Sequence, residues 1–472
     1  MRKTALRRLE KITHPVHKSS DTSIVLSLKA KKGIIECESL KAFALFLSKD
    51  RVVKKALVKN LIILICLPLA GFALLLLVHL LPTSNMKANV YSSVDSIEAE
   101  CFDELMIDDY SATLNGNFTD CLMLHYSIYD EGHSLLDQTL NMYRSESDPE
   151  EEWWPGRSLL DYLNGVPVSK EVSYSRYWHG YLVVLKPLLL FTSFNSIRLL
   201  NAGLELMLLC LVLIMFSKKG YSKIALSFAA SLPFMFFFSS FASLSLSICM
   251  YILLVEMLII ASFNGKLSER ERYTTFFLIA GAATSFFDFL TYPLVTLAFP
   301  LIAVIGMNEK KMSKSFVSLF KHSLFWVVGY VFMWASKWLL CATVFGKGAL
   351  TDALNTVSVR TSASEGGRIA GFANVLKNNL SPFANRAFAL LALFVLIIIA
   401  VGIIKTGLIK TFAKISSNIP LLLIGLTPFV WWFAASNHSS EHWVFTCRIF
   451  SIFVFAVVFV FTSNSERHSN KD

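Results

Sequence analysis

The stretch LIILICLPLAGFALLLLVHLL, from Leu61 to Leu81, contains no Asp, Glu, Lys or Arg and is long enough to cross a bilayer as a helix. Similar apolar runs recur along the 472 residues, of which 54% are hydrophobic and 17% are charged. Soluble domains carry roughly 25% charged residues. Because a long polar, basic segment precedes the first run, that run predicts a transmembrane helix and not a cleavable signal peptide. The sequence therefore predicts an all-α polytopic membrane protein.

The apolar runs and the breaks between them predict about ten transmembrane helices. Two runs are each long enough for a helix pair, and they are expected to turn near Ser239-Ser240 and near Asp288. The shorter run Tyr181–Phe194 has a lysine followed by proline at its middle and predicts an interfacial or re-entrant helix. The spans are predicted at residues 61–81, 197–216, 224–263 (a pair), 275–306 (a pair), 322–345, 386–404, 420–435 and 447–461.

The distribution of charge predicts how the chain is oriented. The net charge of +10 is distributed unevenly along the chain. Residues 82–180 carry 18 acidic and five basic residues, and the rest of the chain carries 16 acidic and 39 basic residues. Short basic connections remain on the cytoplasmic side, so this pattern indicates membrane topology and not nucleic-acid binding. It predicts a cytoplasmic segment 1–60, a membrane domain 61–463 with an outer loop 82–196, and a cytoplasmic tail 464–472. A bacterial plasma membrane suits this arrangement.

The first candidate site is NHSSEHWVFTCR, Asn437–Arg448, which faces outward in this topology. HSSEH fits a zinc-peptidase pattern, but a downstream carboxylate ligand is found only in the predicted cytoplasmic tail. A solvated loop and an anion site are the other interpretations. His438, His442 and Arg448 are donors suited to phosphate at a membrane surface.

The second candidate site is SRYWHGYLVVLKPLLL, which begins at Ser175. Arg176, Tyr177 and His179 come just before a membrane-entering segment, where they form either an interfacial aromatic belt or a contact to phosphate or sugar. Lys186 lies inside the apolar run, so its amine must face a polar cavity or reach the interface.

Acidic residues in the outer loop are candidates for a general base. Asp120 opens an apolar run in GNFTDCLMLHYS, where it caps a helix or acts as a base over a membrane pocket. Asp108 and Asp109 lie in a more polar stretch, where they keep the loop hydrated or bind a divalent cation. No other cofactor is predicted.

Two further outward-facing stretches carry candidates. In SFFDFLTYP, Asp288 stands among aromatic residues near the membrane, so it is either functional or held in an ion pair with an arginine. VRTSASEGGRIAG brings Arg360 and Arg368 into a glycine-containing loop that would close over a ligand. The chain has no Walker motif, no GxGxxG and no GxSxG, which argues against an ATP-driven pump and an α/β-hydrolase.

The stretches NFTDCLML, RYWHGYLVVLKPLLL, FDFLTYPLV and NHSSEHWVFTCR, and the architecture of residues 61–463, resemble the GT-C class of membrane glycosyltransferases. Such enzymes pass a sugar from a polyprenyl-phosphate carrier to a glycan or lipid acceptor outside the membrane. The resemblance implies a catalytic acid after the first helix, for which Asp120 is the first candidate, Asp109 the second and Asp288 a third. It implies a set of residues that contact the donor phosphate and substrate: Arg176, Tyr177, His179, Lys186, Tyr292, His438, His442 and Arg448.

Other functions compete with glycosyl transfer. A transporter or flippase would place intramembrane charges such as Lys186, Asp288 and Lys337 along a path, but it would not need an outer loop of this length. A polysaccharide polymerase or ligase uses closely related chemistry. A scaffold or receptor would use the loop to bind a partner and would tolerate substitution of Asp120.

Overall fold

The computed structural model describes residues 51–100, 117–147, 154–168, 170–269, 272–309, 311–363 and 367–463, and within these ranges the chain is helical. The described residues from Lys59 onward belong to one compact unit. Their only strands, β1 (Tyr143–Ser145) and β2 (Glu171–Ser173), form one short antiparallel pair. The all-α prediction is confirmed for the described residues. Asp108 and Asp109 lie outside them.

The helices divide into long apolar ones and shorter ones that connect or cover them. The first nine are α1 (Arg51–His79), α2 (Thr83–Tyr91), α3 (Val94–Ala99), α4 (Asn117–Ile128), α5 (Leu135–Asn141), α6 (Trp154–Leu163), α7 (Leu182–Phe191), α8 (Phe194–Lys218) and α9 (Ser222–Ser231). The next eight are α10 (Phe237–Ala242), α11 (Leu244–Leu267), α12 (Arg272–Phe287), α13 (Val295–Asn308), α14 (Met312–Phe345), α15 (Gly348–Thr361), α16 (Arg368–Leu380) and α17 (Arg386–Thr406). The last six are α18 (Leu408–Ser417), α19 (Ile419–Gly425), α20 (Thr427–Ala434), α21 (Ser436–Glu441), α22 (Trp443–Thr446) and α23 (Phe450–Thr462).

Six described helical segments are long and apolar enough to cross a membrane, or seven when the bent pair α18–α19 counts as one span. The protein is therefore a multi-pass helical membrane protein. Ten spans remain a prediction, because α9 with its following turn, α12 and α13 are shorter than a bilayer-spanning helix. The six long segments are Lys54–His79, Phe194–Lys218, Leu244–Leu267, Met312–Phe345, Arg386–Thr406 and Trp443–Thr462.

The break predicted near Ser239-Ser240 is longer than a tight turn. A 3₁₀ turn that contains Pro233 ends at Phe236, whose φ of 53° is left-handed and stops the helix. Helix α10 then carries both serines as buried residues, and α11 begins only at Leu244. A proline and one left-handed residue thus replace the expected serine turn with a third short helix.

Contacts between helices establish their relative directions. At one end of the pair α11 and α13, the Tyr292 hydroxyl donates to the Leu246 carbonyl, and at the other end the amides of Asn264 and Asn308 bond at 2.8 and 3.1 Å, so the two helices run parallel. Helices α12 and α14 are also parallel, as are α17 and α23, whereas α9 and α19 are antiparallel to α23. These directions agree with the alternating order of the predicted spans.

Two glycines bring α12 and α14 into backbone contact. A Cβ atom on Gly281 would lie 2.0 Å from the Trp326 carbonyl oxygen, and one on Gly329 would lie 2.1 Å from the Leu278 carbonyl oxygen. Small residues at helix interfaces allow such close packing inside a membrane. This pair has the most extensive contact in the bundle and supports one wall of the site described below.

The segment between α1 and α8, residues 80–193, is here called the insertion, and its described residues pack on one end of the bundle. One buried lysine of the bundle joins it to the apolar helices, since the Lys337 amine of α14 donates to the Leu140 carbonyl at 2.7 Å. Within the insertion, the buried Lys186 amine of α7 donates to the Ser127 carbonyl at 2.7 Å. Both acceptors lie in the last turns of α4 and α5, where helix carbonyls are free to accept and cations are favoured. Lys337 therefore anchors the insertion to the bundle, and Lys186 joins two helices within the insertion.

Candidate functional site

Three of the stretches singled out in the sequence meet at the end of the bundle that carries the insertion. The Gly180 amide donates to the Phe286 carbonyl at 2.9 Å, and His438 Nε2 lies 3.1 Å from the Leu290 carbonyl oxygen. Residues 176–180, 286–292 and 438–448 thus form one cluster although they are far apart in the chain. We call it the convergent site and define it by Arg176, Tyr177, His179, Asp288, Tyr292, Asp352, Arg360, His438, His442 and Arg448.

Asp288 organises the turn that follows α12. Its carboxylate accepts from the backbone amides of Leu290 at 2.8 Å and Thr291 at 3.0 Å, and from the Thr291 hydroxyl. Burial raises the pKa of this carboxyl, and the hydrogen bonds of Thr291 oppose the rise. Leu290 has a φ of 72°, which a leucine adopts only when its surroundings impose it, and this geometry turns its carbonyl to His438. Asp288 is not in an ion pair with Arg176 or Arg448; it is held by its own turn and by a hydrogen bond with the Cys249 thiol.

A histidine and an arginine form the centre of the convergent site. His438 is buried, and its Nδ1 atom bonds to the guanidinium of Arg360. Because a guanidinium only donates, Nδ1 must be the unprotonated acceptor. Burial, and then Arg360, lower the pKa of His438 to about 2, so its ring is neutral. His442 lies with its ring 4.8 Å from that of His438, and burial lowers its pKa as well.

Helix α15 contributes a line of polar residues that runs between Arg176 and His438. Asp352, Thr356 and Arg360 are spaced four residues apart and therefore share one face. The Arg176 guanidinium contacts Asp352 at 3.1 Å and Thr356 at 3.2 Å, and Arg360 reaches His438. Asp352 was not among the residues predicted from the sequence, and Arg360 was predicted only as part of a loop that closes over a ligand. The spacing of four within a helix was the signal that would have identified both.

Aromatic rings enclose His179. Its Nε2 atom lies 2.9 Å from the Tyr174 carbonyl oxygen, and its Nδ1 atom lies 3.1 Å from the Tyr181 hydroxyl. The rings of Tyr126 and Phe289 lie 5.0 and 5.3 Å from its own. Burial lowers the pKa of His179 to about 3, so it is a neutral, fully bonded histidine. It supports the wall of the site and has no free hydrogen-bonding atom to offer a ligand.

Arg448 and Tyr292 lie deeper, against α10 and α11. Arg448 is buried and donates to the Ser239 hydroxyl at 2.8 Å and to the Val444 carbonyl. Its guanidinium also lies 5.5 Å from the centre of the Phe236 ring. Among the described residues, no carboxylate forms an ion pair with it. A buried guanidinium without a carboxylate carries net positive charge that an anion would offset.

Asp120 lies outside this cluster, at the start of α11. Its carboxylate accepts from the amides of Leu244 at 2.7 Å and Ser245 at 2.8 Å, and from the Ser243 hydroxyl at 3.2 Å. It thus caps a helix that lies more than 100 residues away in sequence. Burial raises the pKa of Asp120, and the hydrogen bonds from Ser245 and Leu244 oppose the rise. Its catalytic role remains a prediction, and that of Asp109 lies outside the described residues.

These contacts define the charged side chains of the convergent site. Arg176, Arg360 and Arg448 bring three guanidinium groups, against the carboxylates of Asp288 and Asp352 and the exposed carboxylate of Glu441 beside His442. Within the described ranges, no group of three or more His, Cys, Asp and Glu side chains has the arrangement of a metal site. The predicted alternative of a divalent cation at Asp108 and Asp109 falls outside those ranges. An anionic ligand is the chemistry that this arrangement favours.

Comparison of the chain with protein-family models, with curated proteins and with solved structures gives no match in any of the three. The GT-C resemblance therefore remains a prediction, and the convergent site has to be interpreted from its own geometry.

Proposed function

We propose that the chain is a membrane glycosyltransferase that moves a sugar from a polyprenyl-phosphate-linked donor to a glycan or lipid acceptor. The observation that carries this proposal is the group of three guanidinium side chains in the convergent site, where Arg176, Arg360 and Arg448 lie near the ends of apolar helices. When the glycosyl–phosphate bond breaks, the lipid phosphate leaves as an anion. Fixed cationic donors at that position stabilise the charge as it develops.

The proposed reaction needs a carboxylate to receive one proton. The acceptor hydroxyl gives its proton to that carboxylate, and its oxygen forms a bond to the anomeric carbon. The bond between that carbon and the phosphate oxygen breaks, and its electron pair stays with the phosphate. Asp352 suits the base because about half (52%) of its side chain is exposed, although both of its oxygens contact Arg176. Asp120 and Asp288 are buried, with both oxygens bonded within the fold. Asp109 remains a candidate from sequence alone.

We also propose ten spans, with the convergent site on the outer face of a bacterial plasma membrane and both termini in the cytoplasm. The charge distribution supports this orientation, since the acidic insertion belongs to the same end of the bundle as the site. The directions of the packed helices support alternating spans. A lipid-linked donor would reach the site from the bilayer, and a surface acceptor would reach it from the aqueous side.

Transport of a lipid or solute is the second candidate, and one observation favours it. Glu256 is buried within a long apolar helix, and neither of its carboxylate oxygens has a hydrogen-bond partner. An unpaired acid at membrane depth is a candidate for moving protons or ions. If transport is the activity, Glu256→Gln abolishes it. If glycosyl transfer is the activity, the same change leaves transfer intact.

A polymerase or ligase differs from a transferase in that it changes polymer length and not sugar content.

Sugar analysis of surface polymers tests the proposal. Cells that lack the protein are expected to lose one sugar, and wild-type protein restores it. Arg360→Ala and Asp352→Asn should each fail to restore it, because removal of one transition-state contact costs roughly 10²–10³ in rate. Arg368→Ala is the matched control, since this exposed arginine lies on the next helix and contacts Phe433. Unchanged surface sugars in the deletion strain would refute the proposal.

A further inference from the structure

A cavity of about 290 Å³ opens at the other end of the bundle, away from the convergent site. It lies where the C-terminal end of α13 meets the first turns of α14, and parts of α11 and α12 complete it. From His322 to Lys337, which anchors the insertion, α14 rises roughly 22 Å at 1.5 Å per residue. The cavity is therefore separate from the proposed reaction site. Its walls include Tyr273, Asn308, Glu309, Lys314, Lys321 and His322.

One face of α14 lines this cavity with polar groups. Lys314, Ser318, Lys321 and His322 recur at spacings of three and four, which places them on the same side of the helix. Glu309 also lines the cavity, and its carboxylate accepts from the Ser318 hydroxyl at 2.6 Å. Among the described side chains that line the cavity, Lys314 and Lys321 are the cations and Glu309 is the carboxylate.

His322 is the unusual member of this face. It is 93% buried, yet its Nδ1 atom has no hydrogen-bond partner. The ring is held by stacking on Phe277, with the ring centres 5.0 Å apart. A buried polar atom without a partner is uncommon in a native fold and calls for an explanation such as an absent ligand. The rest of the ring lines the cavity, so a ligand there would lie beside His322.

The opposite wall is built from a bonded group of side chains. The amides of Asn264 and Asn308 bond to each other, and the Tyr273 hydroxyl donates to Asn264 at 2.5 Å. Tyr273 and Asn308 both face the cavity. These hydrogen bonds fix the shape of the wall, so the cavity is held open by the fold.

The surroundings of the cavity indicate that a ligand enters from the bilayer. Val317 lines the cavity and is 63% exposed, and Phe320 and Leu324 on the same helix are also more than half exposed. In a membrane protein, such apolar side chains face lipid. The volume is near the lower limit of ligand pockets, which is about 300 Å³, so it suits a headgroup and not a whole lipid-linked sugar.

We propose that this cavity binds the phosphate of an anionic phospholipid headgroup, with Lys314 and Lys321 contacting the phosphate oxygens and His322 donating to the headgroup. The acyl chains would lie along Val317 and Phe320. The protein would thereby be stabilised by anionic lipid at the end of the bundle opposite its convergent site. A free phosphate has the same anionic chemistry, and the experiment separates the two sources.

Thermal unfolding of the purified full chain in nanodiscs provides the test. Three conditions are compared: phosphatidylcholine alone, phosphatidylcholine with phosphatidylglycerol, and phosphatidylcholine with inorganic phosphate in solution. Phosphatidylglycerol is expected to raise the Tm of the wild type. The Lys314→Gln/Lys321→Gln variant should lose that rise, and its affinity for phosphatidylglycerol should fall about 25-fold, since each lysine at an anionic surface contributes roughly fivefold.

The matched control is Lys218→Gln/Lys219→Gln, which removes two exposed lysines from the same end of the bundle but outside the cavity. It should keep the rise in Tm. His322→Phe retains the stacking and should reduce lipid affinity without a change of net charge. An equal rise in the Lys314/Lys321 variant and in the wild type would overturn the site. A rise with inorganic phosphate as large as that with phosphatidylglycerol would overturn the lipid assignment and identify free phosphate as the ligand.

Discussion

The spans at the centre of the bundle differ from those at its edge. In the most apolar part of Leu244–Leu267, 72% of the residues are buried within the protein, and in Trp443–Thr462 the share is 67%. The corresponding shares are 22% in Lys54–His79 and 11% in Arg386–Thr406, so these two face lipid. Both enclosed spans hold polar groups: Asp120 caps the first of them, and Arg448 lies inside the second.

This difference shows how the bundle accommodates charge inside a membrane. Buried polar groups in the enclosed spans bond to backbone groups that neighbouring helices bring close, so their desolvation is offset. A peripheral span has no such neighbours and remains almost wholly apolar. One such enclosed span, Trp443–Thr462, brings Arg448 to the convergent site. The predictions below test that contrast, from the largest expected effect to the smallest.

The largest effect is expected where α12 and α14 are in backbone contact. Gly281→Val would place side-chain atoms against the Trp326 carbonyl and force the helices apart, at a cost of at least about 3 kcal/mol. Gly203→Ala in the lipid-facing span α8 meets no atom within 4 Å and should leave the Tm unchanged or raise it slightly. Tryptophan fluorescence during heating in detergent measures both. Equal sensitivity at the two positions would contradict the contrast between enclosed and peripheral helices.

The second prediction concerns the cap on the enclosed span α11. Asp120→Ala would leave the Leu244 and Ser245 amides without a partner and should cost about 3 kcal/mol. Asp120→Asn keeps an acceptor in place and should cost about 1 kcal/mol. Surface sugar should then be restored by Asp120→Asn in proportion to the folded protein present. A well-folded Asp120→Asn protein that restores no sugar would instead support its role as the catalytic base.

The third prediction is a loss of stability in acid. The pKa values of His179 and His438 are lowered by burial to about 3 and about 2, so both rings stay neutral in the folded protein. In the unfolded chain they gain protons below about pH 6.5. Stability is therefore complete above that pH and falls below it, by up to about 1.4 kcal/mol per pH unit for each histidine.

Tm measured as a function of pH tests this slope. His438→Gln should make the decline shallower, because one of the groups that gains a proton only on unfolding has been removed. The quantity to compare is the difference in Tm between the variant and the wild type at each pH. Stability that rises as the pH falls below 6.5 would have the wrong sign for buried neutral histidines.

The smallest effect is expected at the partly exposed ion pair of the convergent site. Asp352→Asn removes the contact with Arg176 and should change stability by less than about 1 kcal/mol, because exposed pairs contribute little. The proposed reaction nevertheless predicts loss of surface sugar in this variant. Purified protein with normal Tm and full sugar transfer would remove Asp352 from the mechanism.

Much of the fold was predictable because apolar length and charge act locally along a chain. The runs at 61–81, 197–216 and 386–404 correspond to described helices, and the helix directions match the predicted order. The break near Ser239 was predicted too short, because Pro233 and the left-handed Phe236 determine it. Whether α9, α12 and α13 cross the bilayer cannot be read from their length.

The site was less predictable, since its contacts join distant parts of the chain. The sequence selected Arg176, His438 and Arg448, which the fold brings to one cluster. It could not show that Asp120 caps a helix across more than 100 residues, or that Lys186 binds a helix end. Arg360 was predicted to lie in a flexible loop because two glycines follow it in the sequence. It lies instead on helix α15, four residues after Thr356.

Binding of polyprenyl phosphate tests the central claim most directly, because it is the leaving group whatever the sugar. The dissociation constant is measured for purified wild type, Arg360→Ala, Arg368→Ala and the Lys314→Gln/Lys321→Gln variant. We predict that Arg360→Ala weakens binding at least about tenfold, as expected for a charge-assisted contact worth about 1.4 kcal/mol or more, and that the other two bind like wild type. Equal binding by wild type and Arg360→Ala would contradict the account, and so would loss of binding in the lysine variant alone.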